Sequence, residues 1–267
     1  MESPEVQSRT YAGASRLRRP VDDEVTEWNP STRRESHLAI GLHVVEGDAI
    51  ALPGALPVYR TTPRGAAAFG KRLFDIVGAI LIGALFSPFI LAVVITIRLS
   101  GLPVLFRHKR IGRHGRIFNC LKFRTMVPNA EQVLRDLLRK HPELRDEWTE
   151  NHKLRDDPRV TLLGRFLRRT SLDELPQLWN VLRGEMSLVG PRPVVRAELL
   201  RYGRQVATYL AIKPGLTGLW QVKGRSDTTY HRRVAMDKYY VRSRSLWMDL
   251  YIVALTAVVV LKRAGAY

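Results

Sequence analysis

The sequence lacks the features of a secreted or zinc-binding protein. Its 267 residues include a single cysteine, Cys120, which excludes an intramolecular disulfide. No Cys/His spacing resembles a zinc site, and residues 1–19 contain no apolar segment of the kind that a signal peptide needs. These absences fit a protein of a reducing compartment.

Acidic residues are scarce in most of the chain. The net charge is +18, and residues 71–267 carry all of the excess, with 35 Lys+Arg against 16 Asp+Glu. Such a basic body favours polyanionic partners: nucleic acid, anionic lipid headgroups or phosphorylated substrates. Nucleic-acid binding would need basic residues interleaved with stacking aromatics, or a recognition motif, and the sequence shows neither. We therefore expect no nucleic-acid partner.

Residues 1–66 have little hydrophobic periodicity. They mix Pro, Gly, Ser, Arg and Glu, a composition that predicts a disordered N-terminal tail. The short apolar stretch AIALPGALPVY interrupts this segment, and a small docking element from Ile50 to Tyr59 is the alternative.

A run of 22 residues without a charge extends from Ile76 to Ile97. A helix needs about 20 apolar residues to cross a bilayer, so length alone permits a crossing. A buried core helix is the alternative, although such helices usually keep polar positions and this run is apolar all round.

Two features predict that this helix enters the membrane and returns to the same side. Ser87-Pro88 lies at its midpoint, where the proline removes a backbone hydrogen bond and the serine hydroxyl can satisfy the freed carbonyl. Both flanks are basic, and basic flanks favour the cytoplasm. The flanking cations are Lys71, Arg72, Arg98, Arg107, Lys109 and Arg110. We therefore predict a re-entrant membrane helix over residues 67–100, broken at Ser87 and Pro88.

The apolar run from Leu250 to Leu261 has 12 residues. As a helix it would be about 18 Å long, which is too short for a hydrocarbon core of about 30 Å. It predicts either a core helix or a helix that lies in the membrane interface.

The segment VLFRHKRIGRHGRIFNCLKFRTM predicts a β-hairpin, because two β-rich runs flank a glycine-containing turn around residues 113–115. In the second strand Lys122 and Arg124 project from the same face. They belong either to a solvated edge strand or to a clamp for phosphate.

Two further stretches follow the hairpin. Residues 130–148 are charge-rich, and we expect them to form one exposed helix without direct chemistry. Asp156 and Asp157 then precede Pro158. Paired aspartates can hold a metal in enzymes that bind nucleotide sugars, but a turn or a helix start is the favoured interpretation.

The stretch RRTSLDELPQLWN, residues 168–180, places Asp173 beside Glu174 among arginines. One interpretation is a helix start, since Ser171 and Glu174 have the spacing of a capping box and acidic residues favour a first turn. The other is that the two carboxylates carry out the chemistry of the protein. In either case they lie at or just before a helix N-terminus.

The surroundings of these carboxylates favour chemistry on phosphate. Arg168 precedes them, and Arg192 is held between two prolines in GPRPVV, which restrict its backbone. Rigid arginines suit bidentate contacts to phosphate. The turn-rich stretch KPGLTGLWQVKGR allows the backbone to approach a ligand closely.

These motifs resemble the bacterial sugar transferase family, the monotopic polyprenyl-phosphate sugar-1-phosphate transferases. The similarity runs from Lys71 to the C-terminus through KRLFD, the Ser-Pro pair, KFRTM, RTSLDELPQLWNVLRGEMSLVGPRP, KPGLTGLWQVKGR and DKYYV. It is greatest to the short exopolysaccharide-initiating enzymes of the galactose-1-phosphate type. Lys213 and Ser226 stand where many relatives have Arg and Asn.

The resemblance implies a two-step transfer. The carboxylate of Asp173 attacks the sugar-bearing phosphate of a UDP-hexose, UMP leaves, and the sugar phosphate then passes to undecaprenyl phosphate. Glu174 is the dyad partner, and the pair binds Mg²⁺. The family also implies phosphate contacts at Arg168, Arg192, Lys122 and Arg124 and nucleotide contacts at Gln221 and Arg225. The residue chemistry agrees, because aspartate is an established phosphoryl nucleophile and Mg²⁺ prefers few carboxylates together with phosphate oxygens.

We thus expect an α+β protein in three parts: the tail of residues 1–66, a re-entrant membrane helix hairpin over 67–100, and a cytoplasmic catalytic domain over 101–267. This domain should be compact and helix-rich, with a small β-hairpin and interfacial helices. The resemblance implies the cytoplasmic face of the bacterial inner membrane, and galactose before glucose as the sugar. Its implied partners are membrane lipid, a second copy in a homodimer, and downstream glycosyltransferases. The alternative is an inactive, membrane-attached scaffold of the same fold.

Overall fold

The computed structural model describes residues 43–45, 49–51, 65–151, 154, 156–224 and 228–262. The strands in these ranges are β1 (His43–Val45), β2 (Ala49–Ala51), β3 (Leu105–Ile111), β4 (Ile117–Phe123), β5 (Ser187–Val189) and β6 (Gly215–Thr217). The helices are α1 (Ala66–Leu85), α2 (Ser87–Leu99), α3 (Ala130–Lys140), α4 (Glu143–Asn151), α5 (Leu162–Arg169), α6 (Gln177–Arg183), α7 (Arg196–Leu200), α8 (Val206–Leu210), α9 (Leu219–Lys223), α10 (Tyr230–Ser243) and α11 (Leu246–Leu261). The mixture of helices with small sheets agrees with the predicted α+β class. The predicted tail of residues 1–66 lies almost wholly outside the described residues.

Helices α1 and α2 form a bent apolar pair. They meet at Phe86 with an angle of 64°. Pro88 lies in the first turn of α2, where a missing N–H costs no helical bond, and Ser87 Oγ donates to the carbonyl of Ala84 (2.8 Å). In the described part of the chain no single helix is long and apolar enough to cross a membrane, and this pair has the necessary length and composition only when both members are counted.

The bent pair has an inner face in the core and an outer face that is exposed. Ala79, Val93 and Ile97 are buried in the same hydrophobic core as Leu167 and Val181 of the body. The outer face presents large apolar side chains, among them Phe69, Leu73, Leu81, Leu85, Leu91 and Leu99. Full burial of a large aliphatic side chain contributes about 1.5–3 kcal/mol, so the inner contacts firmly attach the pair to the body.

Helix α11 likewise has two different sides. Ile252 is fully buried in the same core, as the core-helix interpretation of this run predicts. Trp247, Leu250 and Leu261 are exposed on its other side. With 16 residues, α11 extends the predicted apolar run by one turn at its N-terminus, where Ser245 accepts a hydrogen bond from the Met248 N–H.

Strands β3 and β4 confirm the predicted hairpin. They are antiparallel, with Leu105 opposite Phe123 and Ile111 opposite Ile117. A 3₁₀ turn, Arg113–Gly115, connects them, and its positive φ angles at His114 and Gly115 explain why a glycine is needed there.

The expected single helix over residues 130–148 is wrong, because the chain forms two helices, α3 and α4. The interruption falls at His141 and Pro142. A proline disfavours helical backbone in the residue before it, which accounts for the end of α3 at Lys140.

Candidate active site

The two adjacent carboxylates lie on a 3₁₀ turn, Leu172–Glu174, just before α6. The capping-box interpretation is wrong. Ser171 has φ 56°, in the left-handed region, and its side chain makes no capping hydrogen bond, whereas a capping serine needs extended backbone. Pro176 then occupies the N-cap position of α6. The carboxylates therefore lie just before a helix, as predicted, but without a capping role for the serine.

Lys122 of β4 joins both carboxylates. Its Nζ lies 2.6 Å from Glu174 Oε1 and 3.5 Å from Asp173 Oδ2. Burial raises the pKa of Asp173 above its ordinary value, and the charge of Lys122 offsets only part of this effect. Burial alone would also raise the pKa of Glu174, but Lys122 and Arg192 outweigh it and hold that pKa below its ordinary value.

Arg168 reaches this pair from α5. Thr161 caps the helix by accepting a hydrogen bond from the Gly164 N–H (2.9 Å), and Gly164 packs against the backbone of Thr125 where a Cβ atom would collide. This close approach allows Arg168 Nε to donate to Thr125 Oγ1 (2.9 Å). The Arg168 charge acts on Asp173 and lowers its pKa, against the larger effect of burial.

A pocket of about 260 Å³, counting its open mouth, lies beside Lys122 and Glu174. It brings together the predicted phosphate ligand Arg192 and the predicted nucleotide ligand Gln221. The lining residues are Arg110, Cys120, Lys122, Glu174, Gln177, Arg192, Pro193, Leu216 and Gln221. The pocket therefore combines one carboxylate, that of Glu174, with three cationic side chains, those of Arg110, Lys122 and Arg192.

The topology of the short sheet explains why Arg192 and Gln221 meet. Strands β5 and β6 are parallel, with Ser187 opposite Gly215. The carboxyl ends of parallel strands lie at the same edge of a sheet, so the segments that follow them begin side by side. One segment carries Arg192, and the other leads into α9 with Gln221.

The end of β3 is attached to the segment after β5. The Ile111 N–H donates to the carbonyl of Val194 (3.0 Å). The Tyr209 hydroxyl donates to the carbonyl of Ile111 (2.8 Å) and accepts from the Val194 N–H (3.2 Å). These bonds hold Arg192, two residues before Val194, next to the hairpin that carries Lys122.

Arg110 and Gln177 are pocket residues that the sequence analysis missed. Arg110 Nη1 forms an ion pair with Glu198 Oε2 (3.2 Å), which directs the guanidinium along the pocket wall. The signal was present in the hairpin register: Arg110 pairs with Phe118, which lies on the same face of β4 as Lys122. Gln177, 2% exposed, begins α6 after the carboxylates.

Other predicted residues lie elsewhere. Arg124 Nε donates to the carbonyl of Pro103 (3.0 Å), and Arg124 is not among the lining residues of the pocket. Arg225 lies outside the described residues. The Lys213 ammonium lies close to Gly184, beside the guanidinium of Arg72, and Lys213 is not among the lining residues of the pocket.

The paired aspartates at 156 and 157 form a turn, which confirms the favoured interpretation. Asp157 accepts hydrogen bonds from Arg159 through its N–H (3.1 Å), Nε (2.7 Å) and Nη2 (2.6 Å). Burial raises the pKa of Asp157, but these bonds outweigh it and leave that pKa below the ordinary value. The carboxylate is thus fully used in holding the turn.

The donor set of Asp173 and Glu174 fits a magnesium ion that takes most of its ligands from substrate. In the described part of the chain no group of three or more His, Cys, Asp or Glu side chains could hold a metal by itself. The two carboxylates do converge on one point, which the Lys122 ammonium occupies. Mg²⁺ is commonly bound through one or two carboxylates plus phosphate oxygens and water.

The family described as bacterial sugar transferase matches residues 66–263, and the chain belongs to this family. The matched range contains α1 to α11 and every pocket residue named above, so the resemblance drawn from the motifs is confirmed.

Three relatives illustrate the similarity. The UDP-galactose-lipid carrier transferase of Erwinia amylovora is 52% identical over 212 residues, which cover 79% of this chain and 44% of that protein. The undecaprenyl-phosphate galactose phosphotransferase of Salmonella typhimurium is 50% identical over 212 residues, with the same two coverages. The exopolysaccharide production protein ExoY of Rhizobium meliloti is 46% identical over 216 residues, 80% of this chain and 96% of ExoY. The chain thus spans less than half of the first two relatives and nearly all of the third.

Proposed function

We propose that this protein transfers a hexose-1-phosphate from a UDP-sugar to undecaprenyl phosphate, with galactose as the first candidate sugar, and so starts an exopolysaccharide repeat unit. The observation that carries the proposal is the Asp173–Glu174 pair shared by Lys122 beside a pocket lined by Arg110 and Arg192. The names of the relatives from Erwinia and Salmonella support a galactose donor and an undecaprenyl-phosphate acceptor.

The pocket suits the diphosphate of the donor. Arg110, Lys122 and Arg192 supply positive charge, and arginine binds phosphate oxygens with two parallel hydrogen bonds. The pocket is small and open to solvent, so it suits the phosphates better than a whole nucleotide sugar. The uridine and the sugar would then extend through the open mouth. Gln221 Oε1, which is buried in the pocket wall and has no hydrogen-bond partner among the described residues, can accept a hydrogen bond from the ligand.

Asp173 is the proposed nucleophile. Its carboxylate oxygen forms a bond to the β-phosphorus of the UDP-sugar, and the bond from that phosphorus to the bridging oxygen breaks, so that UMP leaves with the electron pair. An oxygen of undecaprenyl phosphate then attacks the same phosphorus, and the carboxylate of Asp173 is released. A carboxylate nucleophile is established for phosphoryl transfer, and 92% burial of Asp173 limits the access of water to the intermediate.

Glu174, Lys122 and Arg168 support this attack by charge. Lys122 lies between the two carboxylates and reduces their repulsion, and the charge of Arg168, whose side chain is held by Thr125, also acts on Asp173. A magnesium ion bound by Asp173 or Glu174 would neutralise charge on the diphosphate. Phosphoryl transfer depends mainly on such positioning and charge neutralisation.

We infer a membrane location from the bent pair α1 and α2. Its outer face exposes many large apolar side chains, and soluble proteins rarely carry large contiguous apolar patches. A pair bent by 64° with basic residues on both flanks fits a re-entrant hairpin on the cytoplasmic side of the inner membrane. Cysteines introduced at Ala67 and Ser100 should both react with an impermeant maleimide in inverted vesicles and neither in spheroplasts. Reaction from opposite sides would establish a crossing instead.

The experiment for the overall reaction uses purified protein in detergent with Mg²⁺, undecaprenyl phosphate and sugar-labelled UDP-galactose, UDP-glucose or UDP-N-acetylglucosamine. We expect an organic-soluble labelled product with UDP-galactose, a smaller amount with UDP-glucose, and none with Asp173→Asn. Folded protein that forms no product with any sugar would overturn the enzyme proposal, and the inactive-scaffold alternative would take its place.

A further inference from the structure

The side-chain amide of Asn180 lies between α6 and β4. Asn180 is 1% exposed; its Nδ2 donates to the carbonyl of Asn119 (2.8 Å), and its Oδ1 accepts from the Leu121 N–H (3.0 Å). The other Nδ2 hydrogen is directed to Glu185 Oε2 (2.6 Å). Both amide hydrogens and the amide oxygen are therefore used, and the mixture of donor and acceptor partners permits one orientation only.

This amide binds β4 as a neighbouring strand would. Strand β3 pairs with the other edge of β4, where His108 lies opposite Cys120. Alternate residues of an antiparallel strand direct their backbone groups to opposite edges. Asn119 and Leu121, on either side of Cys120, thus both face α6, and the amide of Asn180 takes the place of a peptide group at that edge.

The contact fixes the position of β4 along its own length. Lys122 follows Leu121 directly, and α6 follows the turn that carries Asp173 and Glu174. A shift of β4 by one residue would place Lys122 on the opposite face of the strand and away from the carboxylates. The amide therefore connects the two elements whose side chains meet in the candidate active site.

We propose that Asn180 is a positioning residue: its amide holds β4 against α6 so that the Lys122 ammonium stays in contact with Asp173 and Glu174. This inference rests on the proposed function. Asn180 is not among the lining residues of the pocket, and its effect on catalysis is exerted through Lys122.

A double-mutant cycle tests this relation. The rate of UMP release, per folded molecule, is measured for Asn180→Ala, Lys122→Met and the double variant. We expect each single substitution to lower the rate about 100-fold, as a misplacement of about 1 Å does. The double variant should fall within about threefold of Lys122→Met, because the amide then has no lysine to position. A double variant whose loss is the product of the two single losses would overturn the inference.

A conservative rescue keeps the inference testable if Asn180→Ala fails to fold. Asn180→Asp keeps the acceptor for the Leu121 N–H but loses both donors and places a charge beside Glu185. Adding Glu185→Gln removes this repulsion and supplies an amide that donates to the new carboxylate. We expect the pair of substitutions to recover about tenfold over Asn180→Asp, the effect of one hydrogen bond to a charged group. A rate that stays at the level of Asn180→Asp would contradict the inference.

Tyr240→Phe is the matched control. It removes a buried hydroxyl that bonds to Asp249 Oδ1 (2.7 Å) and the carbonyl of Val189 (3.0 Å), and Tyr240 is not among the lining residues of the pocket. Its effect on the rate should multiply with that of Lys122→Met, as for independent sites. An inactive wild type would overturn the proposed function together with this inference, whereas an active wild type with multiplicative Asn180 and Lys122 effects would overturn this inference alone.

Discussion

Two clusters in this protein each join one lysine to two carboxylates, and they differ in what surrounds them. The closed cluster consists of Lys71, Asp75 and Asp249, and the open cluster consists of Lys122, Asp173 and Glu174. Both bring together residues distant in sequence. Their charges are equal, so charge alone does not distinguish a structural cluster from a catalytic one.

The closed cluster is saturated with hydrogen bonds. Lys71 Nζ lies 2.8 Å from each carboxylate. Asp75 Oδ1 also accepts from Ser187 Oγ (3.0 Å) and the Leu188 N–H (3.1 Å), and Asp249 Oδ1 accepts from the Tyr240 hydroxyl (2.7 Å). The cluster ties α1 and α11 to β5, and its carboxylates are 3% and 2% exposed.

The open cluster receives no such additional donors from the part of the chain that the structure describes. Lys122 is the cation in contact with both carboxylates, and Glu174 keeps 21% of its side chain exposed toward the pocket. Unused acceptor positions beside Arg110 and Arg192 are what a phosphate substrate and its metal ion need. The two clusters thus differ in their hydrogen bonds. The open cluster keeps carboxylate acceptors that a substrate can use, whereas the closed cluster uses its acceptors to hold the fold together.

The largest predicted effect is the loss of activity when Asp173 of the open cluster is replaced. Asp173→Asn should lower UMP release by about 1,000-fold or more, because the neutral amide cannot form the phosphoryl bond. The measurement is UMP release at saturating donor, with the free energy of unfolding from urea titration as the control for folding. Activity within about tenfold of wild type would remove Asp173 from its proposed role.

The second prediction compares the losses of stability and of activity when the lysine of each cluster is replaced. Lys71→Met leaves two buried carboxylates without their cation, and we expect the free energy of unfolding to fall by about 3–5 kcal/mol. Lys122→Met should cost less stability, because Glu174 keeps 21% of its side chain exposed and the charges of Arg192 and Arg110 also act on it, but it should cost much more activity. Urea titrations and initial rates per folded molecule check both variants. Similar stability losses in the two variants would contradict the distinction between the clusters.

The third prediction concerns the pocket wall. Arg192→Lys should lower kcat/KM by about 10- to 100-fold, because a hydrogen bond to a charged group contributes about 1.5–3 kcal/mol and lysine cannot bind phosphate in the same bidentate way. Arg183→Lys, on the exposed side of α6, is the matched control and should change kcat/KM by less than about twofold. Equal effects of the two substitutions would show that Arg192 has no special contact with substrate.

The smallest prediction concerns a buried carboxylate outside both clusters. Burial raises the pKa of Asp237 to about 7, and the hydrogen bond from Tyr202 offsets little of this effect. The folded state therefore holds a proton that the unfolded state releases near its ordinary pKa. The resulting stability is fully present below about pH 4 and is lost as the pH rises through about 7.

Between pH 5 and pH 7 this effect should lower the free energy of unfolding by about 1–3 kcal/mol. Asp237→Asn should show a smaller decrease over the same range, as measured by urea titration at each pH. Identical pH profiles of wild type and Asp237→Asn would show that Asp237 does not hold the proton.

The sequence predicted which residues belong to the open cluster better than it predicted their local backbone. Asp173 beside Glu174, with Lys122 on the strand of a predicted hairpin, could be found from residue types and alternation. The left-handed backbone at Ser171 could not, because serine is a usual capping residue and only the structure shows its φ of 56°. The alternation of side chains along the strand also predicted the face on which Arg124 lies. It did not predict that Arg124 Nε would donate to the carbonyl of Pro103.

The closed cluster shows what a single sequence cannot predict. Lys71 and Asp75 have the spacing of a helical ion pair, which by itself indicates a weak surface contact. Their burial depends on Asp249, from the other end of the chain, and on Ser187 of a short strand. Contacts between such distant segments follow from the packing of the whole fold, and no local pattern in the sequence encodes them.

The most direct test of the account measures the covalent step alone. Purified protein is incubated with Mg²⁺ and UDP-galactose labelled on the β-phosphate, without undecaprenyl phosphate, and the label retained on denatured protein is counted for wild type, Asp173→Asn and Tyr240→Phe. We predict label on wild type that undecaprenyl phosphate discharges, label on Tyr240→Phe in proportion to its folded fraction, and none on Asp173→Asn. Transfer to the lipid by wild type without any label on the protein, or equal label on Asp173→Asn, would contradict the account.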